Sequence, residues 1–87
     1  MSKVYFSIGS NKGNRSGLIN EAIDKIDIII GKVVLKSSIY ETKSWGFNSN
    51  NFYNICILLE STLTPELILN KILTIEKNIG RLKTTDQ

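Results

Sequence analysis

The chain has 87 residues, with 41% hydrophobic residues, 22% charged residues and a net charge of +3. That is an ordinary globular composition for one small domain, whose core is marginal at this size. With no histidine and one cysteine, a disulfide framework, a zinc site and histidine-dependent nucleophilic catalysis are all excluded.

Val4, Phe6 and Ile8 alternate with Tyr5 and Ser7, which predicts a strand with one buried face. It stops at the turn formers Gly9 to Asn14, which lack the ending and spacing of a P-loop. The run is too short for a signal peptide, and no stretch is long enough to span a bilayer. A cytoplasmic location is the default expectation.

Asn14 or Ser16 can cap a helix in which Leu18, Ile19, Ala22, Ile23, Ile26, Ile29 and Ile30 recur at helical spacing. Gly31 is its expected stop. Asp24 and Asp27 lie three apart on that helix, a spacing that suits a solvated surface and falls short of a metal site. Val33 to Tyr40 alternates again, with Val33, Leu35 and Ile39 on one side. Ile55 to Leu59 is apolar on both faces and reads as a central strand, with Cys56 a small buried hydrophobe within it.

Between these strands the stretch Tyr40 to Asn54 carries Trp45, Phe47, Phe52 and Tyr53 among polar residues. Two readings stay open for it. The aromatics could cap the core, or they could form a pocket for a flat polar ring. In the second reading Phe52 or Trp45 stacks, and Asn54 supplies donor and acceptor atoms to an amide-like edge.

Thr64 then caps a second helix, with Pro65 at its first position and Glu66 in its positive first turn. Ile68, Ile72, Ile75 and Ile79 form its stripe and Gly80 ends it. Arg81 to Gln87 shows no element. The order strand, helix, strand, strand, helix is α+β and ferredoxin-like, β-α-β-β-α(-β), with an antiparallel sheet, two helices on one face and the last strand missing. Without that strand, the first strand is expected to be an open edge that invites dimerisation.

The runs VYFSIGSNKGNR, SSIYETKSWGF, NNFYNICILLESTLTPELIL and IEKNIGRLK together resemble the 6-hydroxymethyl-7,8-dihydropterin pyrophosphokinase family of folate biosynthesis. The resemblance covers nearly the whole chain in order. It implies an ATP-dependent transfer of pyrophosphate to the pterin hydroxymethyl group, with Mg2+ required. It places Gly9, Thr42, Trp45, Phe52 and Asn54 at the pterin, with Asn54 on the amide edge and Phe52 on the ring. It places Glu76, Arg81 and Lys83 on the nucleotide side. In isolation, Arg81 and Lys83 also suit a solvated helix end.

Lys43 stands where the family often has proline, and Leu73 where it often has glutamine. The family's Arg-Thr-x-Asp-x-Asp pattern, with its magnesium ligands, does not occur. The expectation is therefore the N-terminal portion of a longer enzyme, with no catalytic or metal residue of its own and no turnover alone. Its implied partners are ATP and the pterin, not nucleic acid or membrane. Two other readings stand beside it. One is a non-catalytic module that binds a small molecule or itself. The other is an RNA-binding module, which the strand aromatics support poorly.

Overall fold

The structure is a computed structural model describing residues 2–43, 51–80 and 82–86, with the backbone alone at 83, 85 and 86. Five strands and two helices follow in the order β1 (Ser2–Ser10), α1 (Arg15–Ile29), β2 (Lys32–Lys36), β3 (Tyr40–Thr42), β4 (Phe52–Ser61), α2 (Pro65–Ile79) and β5 (Lys83–Asp86). The sheet runs β2-β4-β1-β5, with β3 also paired to β4, and every pairing is antiparallel. With β2 and β3 taken as one interrupted strand, this is the expected ferredoxin-like arrangement.

The core lies between one sheet face and the two helices. Phe6 and Ile8 of β1 and Ile55, Ile57 and Leu59 of β4 face Ile19, Ala22, Ile23 and Ile26 of α1 and Ile68, Ile72 and Ile75 of α2. Alternation along the strands sends Tyr5, Ser7 and Gly9, and with them Asn54, Cys56 and Leu58, to the other face. α1 starts where the Asn14 side chain accepts from Gly17 N at 3.1 Å, which decides between the two expected caps. Thr64 caps α2 in the same way, accepting from Leu67 N at 3.3 Å.

Four expectations are corrected. The run from Val33 does not continue to Tyr40 as one strand. A register shift pairs Val33 with Leu59 but Leu35 with Leu58, so Leu35 changes face and is 65% exposed. Beyond Lys36 the chain leaves the ladder, and Ser37 bridges the break. Its N donates to Cys56 O at 2.9 Å, and its hydroxyl accepts from Cys56 N at 2.9 Å. Second, Ile29 is not part of the buried stripe of α1 but is exposed near its C-terminal end.

Third, the stretch Tyr40 to Asn54 is not loop throughout, because β3 and the start of β4 are zipped by the pairs Tyr40↔Asn54, Glu41↔Tyr53 and Thr42↔Phe52. Fourth, the last strand is not missing, and the residues after α2 do form an element. Gly80 turns the chain at φ 69°, Leu82 drops into the core, and β5 pairs with β1 from Phe6↔Asp86 to Gly9↔Lys83. Four residues are too few to show a periodic pattern, and the burial of Leu82 supplies the anchor. β5 covers part of the edge that was expected to be open. Along Ser2–Tyr5, β1 is paired with β4 alone among the described residues.

The turn from α1 into β2 runs hard against β4. A Cβ at Gly31 would lie 2.2 Å from Glu60 O and 2.9 Å from Ser61 Cβ. Beside it the buried Ser61 hydroxyl donates to Ile30 O at 2.7 Å. Gly31→Ala is expected to destabilise the protein by about 1–3 kcal/mol, because backbone must move to admit the methyl group. Urea unfolding measures this, and a midpoint equal to wild type would disprove the tight approach.

Candidate functional site

Four side chains or positions from three strands meet on the helix-free face of the sheet. Gly9 on β1 pairs with Asn54 on β4, Asn54 pairs with Tyr40 on β3, and Thr42 pairs with Phe52. Asn54 is half-buried at the centre. Its Nδ2 donates to Thr42 Oγ1 at 2.9 Å, with longer approaches to Tyr40 O at 3.4 Å and Phe52 O at 3.5 Å. The amide is thus anchored by its donor end.

Its Oδ1 lies over Gly9, where an added Cβ would sit 2.8 Å from that oxygen and 3.5 Å from Phe52 Cδ1. Glycine is the residue that leaves room there. The result is a carbonyl acceptor beside an aromatic ring, on a surface that no described helix covers.

Trp45 lies outside the described residues. Lys43 is exposed at the end of β3. Arg81 also lies outside them, and Lys83 is placed by its backbone, opposite Gly9. The residue expected on the nucleotide side that is fully described, Glu76, is half-buried on α2 and turned toward β5. Its Oε1 accepts from Thr84 N at 2.7 Å and from Thr84 Oγ1 at 2.6 Å. The structure therefore brings together Gly9, Thr42, Phe52 and Asn54, sets the Lys83 backbone beside them, and ties Glu76 to the strand that carries Lys83.

Two neighbours escaped the sequence reading. Arg15 stacks its guanidinium 3.8 Å from the Tyr53 ring centroid and donates to Asn51 O at 2.8 Å, pinning the return into β4 to the start of α1. No sequence spacing signals that contact, since the partners are 36 or more residues apart. Tyr40 extends the polar face by one rung: its hydroxyl lies 3.5 Å from Cys56 Sγ. The Ser-Ser-x-Tyr run flagged this position without assigning it a role. Among the described residues, no three His, Cys, Asp or Glu side chains gather as a metal site would require, so these residues do not fit a magnesium centre. No described helix is long and apolar enough to cross a membrane.

The profile of the 7,8-dihydro-6-hydroxymethylpterin-pyrophosphokinase family matches residues 5–87. The chain belongs to this family. It is 37% identical over 87 residues to the 2-amino-4-hydroxy-6-hydroxymethyldihydropteridine pyrophosphokinase of Porphyromonas gingivalis strain ATCC 33277, covering 99% of this chain and 59% of that protein. It is 39% identical over 82 residues to the enzyme of the same name from Aquifex aeolicus, covering 93% of this chain and 51% of that one. The chain thus spans between half and three-fifths of these relatives' length. A solved tRNA fluorescent labeling enzyme superimposes with a TM-score of 0.66 at 12% identity, over 99% of this chain and 24% of its own; that likeness is one of fold.

The Tyr40 phenol is raised above its ordinary value of 10.0, first by the hydrogen bond with Cys56. Desolvation and the charge of an ionised Cys56 push the same way, while a hydrogen bond with Ser7 pulls it down. The folded state therefore favours the neutral phenol. The stability this contributes is complete below pH 10 and is lost as pH rises through the raised value. In an absorbance titration with Tyr40→Phe as the difference reference, Tyr40 should ionise above the ordinary value, and Cys56→Ala should lower its midpoint. A midpoint indifferent to Cys56→Ala would refute the pairing.

Proposed function

We propose that the protein binds 6-hydroxymethyl-7,8-dihydropterin on the helix-free sheet face and takes part in the transfer of pyrophosphate from ATP to it, in folate synthesis. Membership of the family supports the reaction. The observation that carries the site is the meeting of Gly9, Thr42, Phe52 and Asn54 on one face, around an amide held by Thr42.

In this reading the pterin ring lies against Phe52, and Asn54 Oδ1 accepts from an N–H on the pterin's amide edge. Thr42 keeps that oxygen outward by occupying Nδ2. The closeness of Gly9 keeps the floor flat. The pterin hydroxyl oxygen attacks the β-phosphorus of ATP: the new O–P bond forms, the bond from that phosphorus to the α–β bridging oxygen breaks, and AMP leaves. The hydroxyl proton is released to the surroundings. Such a reaction depends chiefly on positioning and charge neutralisation. Trp45 completes the pterin side, and Glu76, Arg81 and Lys83 belong to the nucleotide side. Mg2+, which neutralises phosphate charge in such reactions, is part of the proposal, but no described residue group holds it. The location is cytoplasmic, the partners are small molecules and not nucleic acid or membrane, and self-association runs through the open half of β1.

Calorimetry with 6-hydroxymethyl-7,8-dihydropterin tests the site. Asn54→Ala should weaken binding by about 1–3 kcal/mol, because the ligand's N–H is left without its acceptor. Equal affinity for wild type and variant would remove Asn54 from the site, and no binding by wild type would overturn the reading.

A further inference from the structure

The carboxylate of Glu76 is spent inside the protein. One oxygen, Oε1, takes both polar hydrogens that Thr84 offers, the backbone N–H at 2.7 Å and the hydroxyl at 2.6 Å. Hydrogen bonds to an ionised acceptor are roughly twice as strong as neutral ones. These two join the fourth turn of α2 to the middle of β5. The strand they hold is short: it meets β1 at four pairs, Phe6↔Asp86, Ser7↔Thr85, Ile8↔Thr84 and Gly9↔Lys83. So short an edge strand has little of its own to resist slipping, and a slip of one residue exchanges its two faces.

Two things fix it. Leu82 is buried just ahead of it, and Glu76 grips Thr84. The rung next to Thr84 is Gly9↔Lys83. Gly9 is the floor beneath Asn54 Oδ1. Glu76 therefore sits on the helix side of the sheet, yet it governs the edge on which the opposite face is built.

We propose that Glu76 is a positioning residue of the pterin site: by clasping Thr84 it locks β5 onto β1 in the register that places Lys83 opposite Gly9. This departs from a direct contact between Glu76 and nucleotide, the role its place in the family's motif implies. The inference rests on the pterin reading. The clasp needs an acceptor oxygen at the end of a side chain of this length, and glutamine also has one. A direct action of the carboxylate through its charge would not survive that change.

The test compares Glu76→Ala, Glu76→Gln and Thr84→Val with wild type by two measurements: amide hydrogen exchange at Thr84, and affinity for 6-hydroxymethyl-7,8-dihydropterin by calorimetry. Asn54→Ala serves as the control. Glu76→Ala should speed exchange at Thr84 about tenfold or more and weaken pterin binding about threefold to tenfold. Glu76→Gln, whose neutral oxygen can make the same two bonds more weakly, should restore part of both. Thr84→Val, which keeps the N–H and loses the hydroxyl, should fall between.

Wild-type exchange in Glu76→Ala would overturn the clasp. Faster exchange with unchanged pterin affinity would overturn its role in the site, as would a Glu76→Gln variant as impaired as Glu76→Ala. If Asn54→Ala loses affinity while Glu76→Ala does not, the pterin reading stands and the positioning role of Glu76 falls. If wild type binds no pterin, both fall.

Discussion

The pairing of β1 with β4 is the constraint on which the rest of the structure depends. It runs over every residue of β1, from Ser2↔Ser61 to Ser10↔Tyr53. Because side chains alternate along each strand, this one register assigns every residue of both strands to a face. It stacks Phe6 against Ile57 and Ile8 against Ile55 under the helices, and it sets Gly9 beside Asn54 on the other side. A slip of one residue would bury the polar set and expose the core. The hydrophobic burial that holds the register thereby also places the Asn54 amide on the opposite face, so the core and the polar face share one cause.

Around that ladder the remaining elements each contribute a local fixture. Ser61, buried at the end of β4, reaches Ile30 O and accepts from Leu63 N, so the exits from α1 and β4 are joined through one hydroxyl. Asp27 accepts from Val33 N at 2.9 Å and guides the chain into β2. That contact goes beyond the solvated surface that the spacing of Asp24 and Asp27 suggested. Arg15 does the corresponding work at the other end of the sheet. These contacts are polar, partly exposed and modest singly. Their value is in fixing where the chain turns.

Much of this was legible beforehand because it rests on repeating patterns. Isoleucines at helical spacing gave both helices and nearly all of their buried stripes, and Thr64-Pro65 marked the start of α2. The motif runs pointed to the positions that meet at Asn54. What escaped detection rests on single events without a period. The register shift at Val33/Leu35 is one, and it alone turns Leu35 outward. The clasp from Glu76 to Thr84 is another, made by one carboxylate across 8 residues. Periodicity also could not say that Asn54 turns its donor inward, since that depends on the acceptors β3 brings alongside.

The gap between β2 and β3 has a consequence for how the molecule breathes. β3 packs against β4 alone among the described elements, and it joins β2 through Ser37 to Ile39, which lie outside the ladder. Three ladder pairs, of whose six residues Tyr53 alone packs against the core, make a unit of low local stability. β3 can peel from β4 while the helices, β1 and the rest of β4 stay closed. Opening in this way would free the Asn54 amide from Thr42 and the Tyr40 carbonyl in one motion. The sheet can thus release this edge without unfolding, and any contact that bridges β3 and β4 would act as the missing cross-link.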